Sequence, residues 1–204
     1  TWNDLFANGT AIGGNGHVLT SWHVKNLSGP FSDYIRFVVV DREKNIHEAN
    51  VIAVSERYDL ALLSTKMRGN HEVYLGDPLS MKQGEPVYIG GLDLKGEIQF
   101  QIGPFGIYNK RDISIERFTS LGTFRENQDY PSISSNGTIL ANPIIISAFA
   151  RGGYSGGLIA DAQGRVIGTA SMSNSVSTTA SSAPNIRRFI NLYLNELRRY
   201  QTAK

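Results

Sequence analysis

The segment from Ala150 to Gly157 places a hydroxyl group among four glycines, and serine is a residue type that can act as a nucleophile. It reads Ala-Arg-Gly-Gly-Tyr-Ser-Gly-Gly, and apolar runs flank it on both sides. Glycine allows positive φ and lets another backbone approach closely, because it has no Cβ. Such a loop can direct backbone N–H groups at a point beside the Ser155 hydroxyl, as an oxyanion hole requires. A glycine-rich turn with an incidental serine is the alternative interpretation.

Two further residues could assist a serine nucleophile. His23 lies at the end of a predicted hairpin strand, and Asp59 leads directly into an apolar strand. Each also has an ordinary interpretation, His23 as a core or surface residue and Asp59 as a turn residue. Acyl transfer by serine needs a base within hydrogen-bond reach and a carboxylate that holds the imidazole in its productive tautomer. The order His, Asp, Ser therefore predicts a site in a crevice between two halves of the chain.

Short apolar segments separated by turn residues predict a mostly β first half. Asn15-Gly16 is typical of a type I′ hairpin turn, because both central positions of that turn need positive φ. Gly91–Gly96 is interpreted as the crossover to the second half. The predicted strands are Thr10–Gly14, His17–Thr20, Tyr34–Val40, Val51–Val54 and Leu60–Ser64, with Val73–Leu75 and Val87–Gly90 as further short candidates.

The second half repeats this style. Its predicted strands are Glu97–Ile102, Gly106–Tyr108, Ser114–Phe118, Thr138–Leu140, Ile144–Phe149, Leu158–Ala160 and Arg165–Ser171. Ser175–Ala183, rich in Ser, Thr and Ala, is interpreted as a loop with little to bury. We therefore expect an all-β fold of two six-stranded antiparallel β-barrels. Residues 1–95 would form the barrel that carries His and Asp, and residues 96–183 the barrel that carries Ser and the substrate pocket.

Residues 184–204 are expected to form a C-terminal α-helix packed on the barrels. Pro184 suits a first helical turn, and Arg198 and Arg199 suit the negative end of the helix dipole. Apolar residues recur at the spacing of an amphipathic helix: Ile186, Phe189, Ile190, Tyr193, Leu194 and Leu197.

Composition excludes several classes of function. With 20 basic and 18 acidic residues and no basic stripe, nucleic-acid binding has no support. The absence of cysteine excludes disulfides, thiolate metal sites and a cysteine nucleophile. No apolar run is long enough to predict a membrane span. His17, His47 and His71 show no metal-ligand spacing, so no metal or cofactor is expected.

Three segments, taken together, resemble the trypsin-like serine proteases. Gly9–Gly13 followed by Val18–Val24 is similar to the histidine segment of that family, in the LTxxHV form of bacterial members. Asp59–Leu63 resembles its DLALL segment, and Gly153–Gly157 resembles its GxSGG segment. The helix after Ala183-Pro184-Asn185 is similar to the end of the HtrA (DegP-like) protease domain.

The resemblance implies a chymotrypsin-like fold and a role for each matched residue. His23 would be the general base and then the general acid, Asp59 would orient it, and Ser155 would be the nucleophile. The backbone N–H groups of Gly153 and Ser155 would bind the oxyanion. Ser171 matches the family's serine that supports the aspartate.

The same alignment implies a substrate pocket lined by Phe149, Ala150, Ser171 and Ser173. No acidic residue appears at its base, so a basic substrate side chain would be buried without a partner. We expect a small or medium apolar residue before the cut. Tyr154 departs from the Asp or Asn that relatives carry beside the nucleophile, which argues against activation by a buried N-terminal amine.

The leading hypothesis is a serine endopeptidase that cleaves protein or peptide substrates through an acyl-enzyme, without a cofactor. A secreted or periplasmic bacterial protease and a viral or phage-encoded protease are two versions of it. A catalytically silent homologue that acts as a binding scaffold is the alternative, although such a homologue normally lacks a triad member. Trp2 and Phe6 fit an oligomer contact, and they fit a role in the core at least as well.

Overall fold

The computed structural model describes residues 7–26, 37–69, 73–95, 101–103, 106–108, 114–133, 137–148, 150, 153–174 and 176–202. In this part of the chain the architecture is mostly β. It comprises a five-stranded sheet, a closed six-stranded barrel and a long C-terminal helix.

The first half forms an antiparallel sheet in the order β1-β2-β5-β4-β3. Its strands are β1 (Thr10–Ile12), β2 (His17–Thr20), β3 (Phe37–Val40), β4 (Ile46–Ser55) and β5 (Leu60–Thr65). The predicted β1–β2 hairpin is confirmed, but Ile12 pairs with His17, so a four-residue loop replaces the expected two-residue turn. β5 lies between β2 and β4, and the side chains from Leu60 to Leu63 are all buried. Since successive side chains of a strand point to opposite faces, both faces of the sheet are covered at β5.

The second half contains the closed barrel, in the order β12-β15-β14-β13-β6-β9, and two small two-stranded sheets, β7-β8 and β10-β11. The strands are β6 (Pro86–Lys95), β7 (Gln101–Gly103), β8 (Gly106–Tyr108), β9 (Ser114–Asn127), β10 (Ser132–Ile133), β11 (Ile139–Leu140), β12 (Ile144–Ile146), β13 (Leu158–Asp161), β14 (Val166–Ser173) and β15 (Thr178–Ser182). Apolar side chains such as Ile89, Ile146 and Ile159 fill the barrel core.

The first of the two expected barrels is not closed within the described residues. Its expected later strands belong to the other half, since Leu75 makes an isolated bridge to Val166 and β6 pairs with β9 and β13. The crossover predicted from Gly91 was also wrong, because Gly91–Lys95 continue β6. We propose a domain boundary before Pro86 rather than after residue 95, and the division of the chain otherwise stays a prediction.

The loop predicted over Ser175–Ala183 was wrong as well, since most of it is β15. This strand lies between β12 and β14, and the side chains of Thr178, Ala180 and Ser181 are fully buried. β14 and β15 pack closely, since a Cβ at Gly168 of β14 would lie 2.7 Å from Ser181 O and 3.5 Å from Ala180 Cβ. Small side-chain size, rather than apolar character, therefore allows this segment to be a buried strand.

The predicted C-terminal helix is confirmed as α2 (Ala183–Thr202). Ile186 and Phe189 are buried against a core that includes Leu19 and Leu60 of the first-half sheet. Leu194 is 41% exposed and does not belong to the apolar stripe, while the side chain of Leu197 lies outside the described residues. Among the described residues, no helix has the length and apolar character needed to cross a membrane.

Candidate active site

Three loops that follow or precede strands bring His23, Asp59 and Ser155 together. β2 ends at Thr20, and His23 begins the single helical turn α1 (His23–Asn26) three residues later. Asp59 ends a short 3₁₀ turn directly before β5 and has φ of 49°. Ser155 lies in the turn before β13, on the other half of the chain.

A continuous chain of hydrogen bonds joins the three side chains. His23 Nδ1 is 2.7 Å from Asp59 Oδ2, and His23 Nε2 is 2.9 Å from Ser155 Oγ. A carboxylate can only accept, so we assign the imidazole proton to Nδ1. Nε2 is then an acceptor, and the Ser155 hydroxyl donates to it. In this arrangement the hydroxyl already points its proton at a base.

The carboxylate of Asp59 is fully buried and is held by three donors. Oδ1 accepts from the backbone N–H of His23 at 2.8 Å, and Oδ2 accepts from His23 Nδ1 and from the hydroxyl of Ser171. A buried carboxylate needs such partners, because an uncompensated charge away from water is costly. These contacts fix the imidazole in both position and rotation.

The turn that carries Ser155 is held to its surroundings by backbone hydrogen bonds. Gly156 N–H donates to Ala170 O and Ala170 N–H donates to Gly157 O, both at 2.8 Å, which fixes the turn to β14. Gly153 and Gly156 have φ of 90° and 82°, a region that disfavours any residue with a Cβ. Tyr154 is buried in the barrel core and anchors the turn from below.

Residues 7–168 match the family model of the trypsin-like peptidase domain. The chain belongs to the trypsin-like peptidase family. No curated protein matches the sequence. Among solved structures, the peptidase domain is similar to one described as the HtrA-type protease AlgW with a decapeptide, at 17% identity and a TM-score of 0.67, covering 93% of this chain and 52% of that one. It is also similar to Deg5, at 20% identity and a TM-score of 0.62, covering 88% of this chain and 79% of that one.

These structural likenesses place the fold of the peptidase domain beside the HtrA-type proteases. At 17% and 20% identity they concern the fold alone. The chain spans about half of the length of the AlgW protein, 52%. The suspected family and the coarse architecture are thereby confirmed, and the catalytic roles of individual residues stay predictions.

Close packing around Gly156 makes the nucleophile turn of the peptidase domain sensitive to a single methyl group. A Cβ at Gly156 would lie 2.0 Å from Asn8 O and 2.5 Å from Thr20 Oγ1. Gly164 has a similar φ of 76°, but a Cβ added there would have no other atom within 4 Å. Alanine at position 164 therefore measures the free-energy cost of positive φ without a steric clash.

We expect Gly164→Ala to lower Tm by about 2–4 °C, as positive φ costs about 1 kcal/mol. Gly156→Ala should lower Tm clearly further, because the turn must also move, and should reduce any peptidase activity at least about tenfold. Thermal unfolding followed by circular dichroism measures both shifts. Equal shifts for the two variants would show that the turn is not closely packed.

The residues expected to line the substrate pocket have different environments in the peptidase domain. Ala150 is buried in the barrel core, and its N–H donates to Ser173 Oγ at 3.2 Å. Ser171 directs its hydroxyl to Asp59 rather than to solvent, whereas Ser173 is exposed. Phe149 and the neighbouring pair Arg151-Gly152 lie outside the described residues. The pocket assignment therefore stays a prediction.

Polar residues that sequence reasoning did not select also contact the site. Ser21 Oγ donates to Ala170 O at 2.9 Å, which joins the histidine segment to β14. Asn8 Nδ2 donates to Gly153 O at 2.9 Å, and Thr20 Oγ1 donates to Asn8 O at 2.6 Å. Their proximity in sequence to the histidine segment was the available signal, but their partners lie more than 140 residues away in the case of Ser21 and Asn8.

A second histidine–carboxylate pair closes the β3–β4 hairpin. His47 Nε2 lies 2.9 Å from Asp41 Oδ2, and Asn45 N–H donates to Asp41 Oδ1. Burial acts to raise the pKa of the Asp41 carboxyl, but the hydrogen bonds from His47 and Asn45 outweigh it and hold the pKa below its usual value. We interpret this pair as structural. Within the described residues, no group of three or more His, Asp and Glu side chains is placed to hold a metal ion.

Proposed function

We propose that this chain is a serine endopeptidase domain that hydrolyses peptide bonds through an acyl-enzyme. The observation that supports it most strongly is the hydrogen-bond chain from Asp59 through His23 to Ser155, with spacings of 2.7 and 2.9 Å. A nucleophile, a base and a group that orients the base are the three parts that serine acyl transfer needs. Membership of a peptidase family makes the peptide bond the proposed target.

In the proposed first step, Ser155 Oγ attacks the carbonyl carbon of the scissile peptide bond while its proton moves to His23 Nε2. Asp59 stabilises the imidazolium that forms, without taking the proton. The N–H groups of Gly153 and Ser155 would donate to the tetrahedral oxyanion. His23 then gives its proton to the leaving amine, the carbon–nitrogen bond breaks, and an acyl group stays on Ser155.

In the second step, water replaces the amine. His23 Nε2 accepts a proton from water as the water oxygen attacks the acyl carbon. When the tetrahedral species collapses, the proton returns to Ser155 Oγ and a carboxylic acid product leaves. The residues named supply both proton transfers, so the proposed cycle needs no cofactor.

We propose protein or peptide substrates with a non-basic, apolar residue before the cut. The segments around Ala150 and Ser173 contain no Asp or Glu from residue 148 to 151 or from 170 to 174, so a cationic substrate side chain would find no partner there. The AlgW protein of similar fold was solved with a decapeptide, which is consistent with a peptide as ligand. A secreted or periplasmic location stays a prediction.

Cleavage of a random peptide library by the wild-type chain and by Ser155→Ala tests the proposal. We expect the wild-type chain to cut internal bonds, with small and apolar residues enriched before the cut, and the variant to cut none above background. Cleavage by both proteins would point to a contaminating protease. A folded wild-type chain that cuts nothing would contradict the proposed function.

A further inference from the structure

Asn8 uses three of its polar atoms to join the two halves of the chain at the nucleophile turn. Its backbone N–H donates to Ser155 O at 2.7 Å, and its side-chain Nδ2 donates to Gly153 O at 2.9 Å. Its own carbonyl oxygen accepts from Thr20 Oγ1 at 2.6 Å. Thr20 ends β2, three residues before His23, so Asn8 lies between the histidine segment and the serine segment.

The side-chain contact of Asn8 falls on the peptide unit between Gly153 and Tyr154. This unit separates the two N–H groups, of Gly153 and Ser155, that are proposed to bind the oxyanion. Gly153 has φ of 90° and no side chain to restrain its rotation. A hydrogen bond to its carbonyl oxygen therefore restrains ψ of Gly153, and with it the relative direction of the two N–H groups.

The backbone of Asn8 also packs closely against the nucleophile turn at Gly156. The Cα of Gly156 faces Asn8 so closely that an added Cβ would lie 2.0 Å from Asn8 O. Asn8 itself is half-buried, so water competes only partly for its amide group. The backbone contacts would be available to any residue at this position, whereas the bond to Gly153 O needs a side-chain donor of the right length.

We propose that Asn8 is a positioning residue for the nucleophile turn. Its side-chain amide sets the direction of the two N–H groups that are proposed to bind the oxyanion. The proposal rests on the proposed serine peptidase function. Asn8 acts through Gly153 and does not touch the reacting atoms. Its removal should thus lower the rate of the chemical step more than it weakens substrate binding.

The kinetic test compares Asn8→Ala and Asn8→Asp with wild type, and uses Asn191→Ala and Asn191→Asp on the exposed face of α2 as matched controls. We expect Asn8→Ala to lower kcat about 10- to 100-fold with KM changed less than about threefold, since small misplacements of reacting groups cost that much. The Asn191 variants should match wild type. A wild-type kcat for Asn8→Ala would overturn the proposal and leave the peptidase function standing.

Asn8→Asp gives a readout that loss of stability alone would not produce. A carboxylate would place an acceptor against Gly153 O, whereas a protonated carboxyl group can donate to it again. The ratio of variant to wild-type kcat should therefore rise as the pH is lowered from about 8 to about 5. The ratio removes any pH dependence that the two proteins share. A ratio that does not rise would count against the proposed contact.

Amide hydrogen exchange tests the same contact without relying on activity. In Asn8→Ala the peptide that covers residues 153–158 should exchange at least about tenfold faster, while the strands of the barrel remain protected as in wild type. Unchanged exchange in this turn would overturn the proposal. If the wild-type chain cuts no peptide, the proposed function fails, and exchange still decides whether Asn8 orders the turn.

Discussion

Ser155→Ala is expected to lower kcat/KM for peptide cleavage by about 10⁶-fold, the size of effect seen when a triad nucleophile is removed. The hydroxyl oxygen lies 2.9 Å from His23 Nε2, and alanine leaves no atom that can form the acyl-enzyme. Residual hydrolysis would have to use water directly. Steady-state rates on a single peptide from the library, measured at high enzyme concentration, give the ratio.

The Ser155→Ala variant should keep its fold, so that its loss of activity reports the loss of the nucleophile and not unfolding. Ser155 is partly exposed, so the loss of its hydroxyl should change Tm by no more than a degree or two. A matched control is Ser80→Ala, because Ser80 is an exposed residue of the short 3₁₀ turn Pro78–Ser80 and belongs to neither the proposed triad nor the proposed substrate pocket. This variant should keep activity within about tenfold. If Ser155→Ala were within tenfold of wild type, another residue would have to be the nucleophile.

Asp59→Asn is expected to lower kcat about 10⁴-fold, as in triads where the carboxylate becomes an amide. The amide nitrogen would face His23 Nδ1 in place of the carboxylate oxygen that now lies 2.7 Å away. The imidazole would then carry its proton on Nε2, facing Ser155 Oγ, and could not accept the serine proton. Single-turnover kinetics at about pH 8 measure the loss.

Asparagine is the right substitute because Asp59 has φ of 49° and ψ of 48°, and asparagine tolerates this left-handed conformation as well as aspartate does. The matched control for Asp59→Asn is Asp161→Asn. It removes a buried carboxylate that accepts a hydrogen bond from Arg165 in the β13–β14 hairpin. It should lower Tm but keep kcat within about tenfold. An Asp59→Asn enzyme with near wild-type kcat would contradict the orienting role.

The candidate triad could be predicted from sequence because each member lies in a short local segment. His23, Asp59 and Ser155 each adjoin an apolar strand, and strands fix the direction of the residues that end them. Their order along the chain, together with the resemblance of their three segments to the trypsin-like proteases, predicted that they meet at one site. The structure brings them within hydrogen-bond distance. What sequence alone did not supply was the support around them. Asn8 contacts a residue 145 positions away.

Parts of the fold escaped prediction where small residues are buried. β15 has a polar composition, but the hydroxyl of Thr178 donates to Ala148 O at 2.7 Å, so the burial of Thr178 leaves its hydroxyl paired. The buried hydroxyl of Ser181 has no hydrogen-bond partner among the described residues. Periodicity of apolar residues cannot detect such a strand. The first barrel is not closed within the described residues for a different reason. The segment around Leu75 has the apolar pattern of a strand, but in the described part of the chain it forms an isolated bridge to Val166 and is not a strand of the first-half sheet.

Reaction with a fluorophosphonate probe tests the central claim most directly. An activated Ser155 should attack phosphorus, form an oxygen–phosphorus bond and release fluoride, and mass spectrometry of the digested protein should locate the adduct on Ser155 alone. Ser155→Ala should remain unlabelled, and Asp59→Asn should react far more slowly than wild type. A folded wild-type chain that stays unlabelled at about pH 8, or that is labelled equally in the Ser155→Ala variant, would contradict the account.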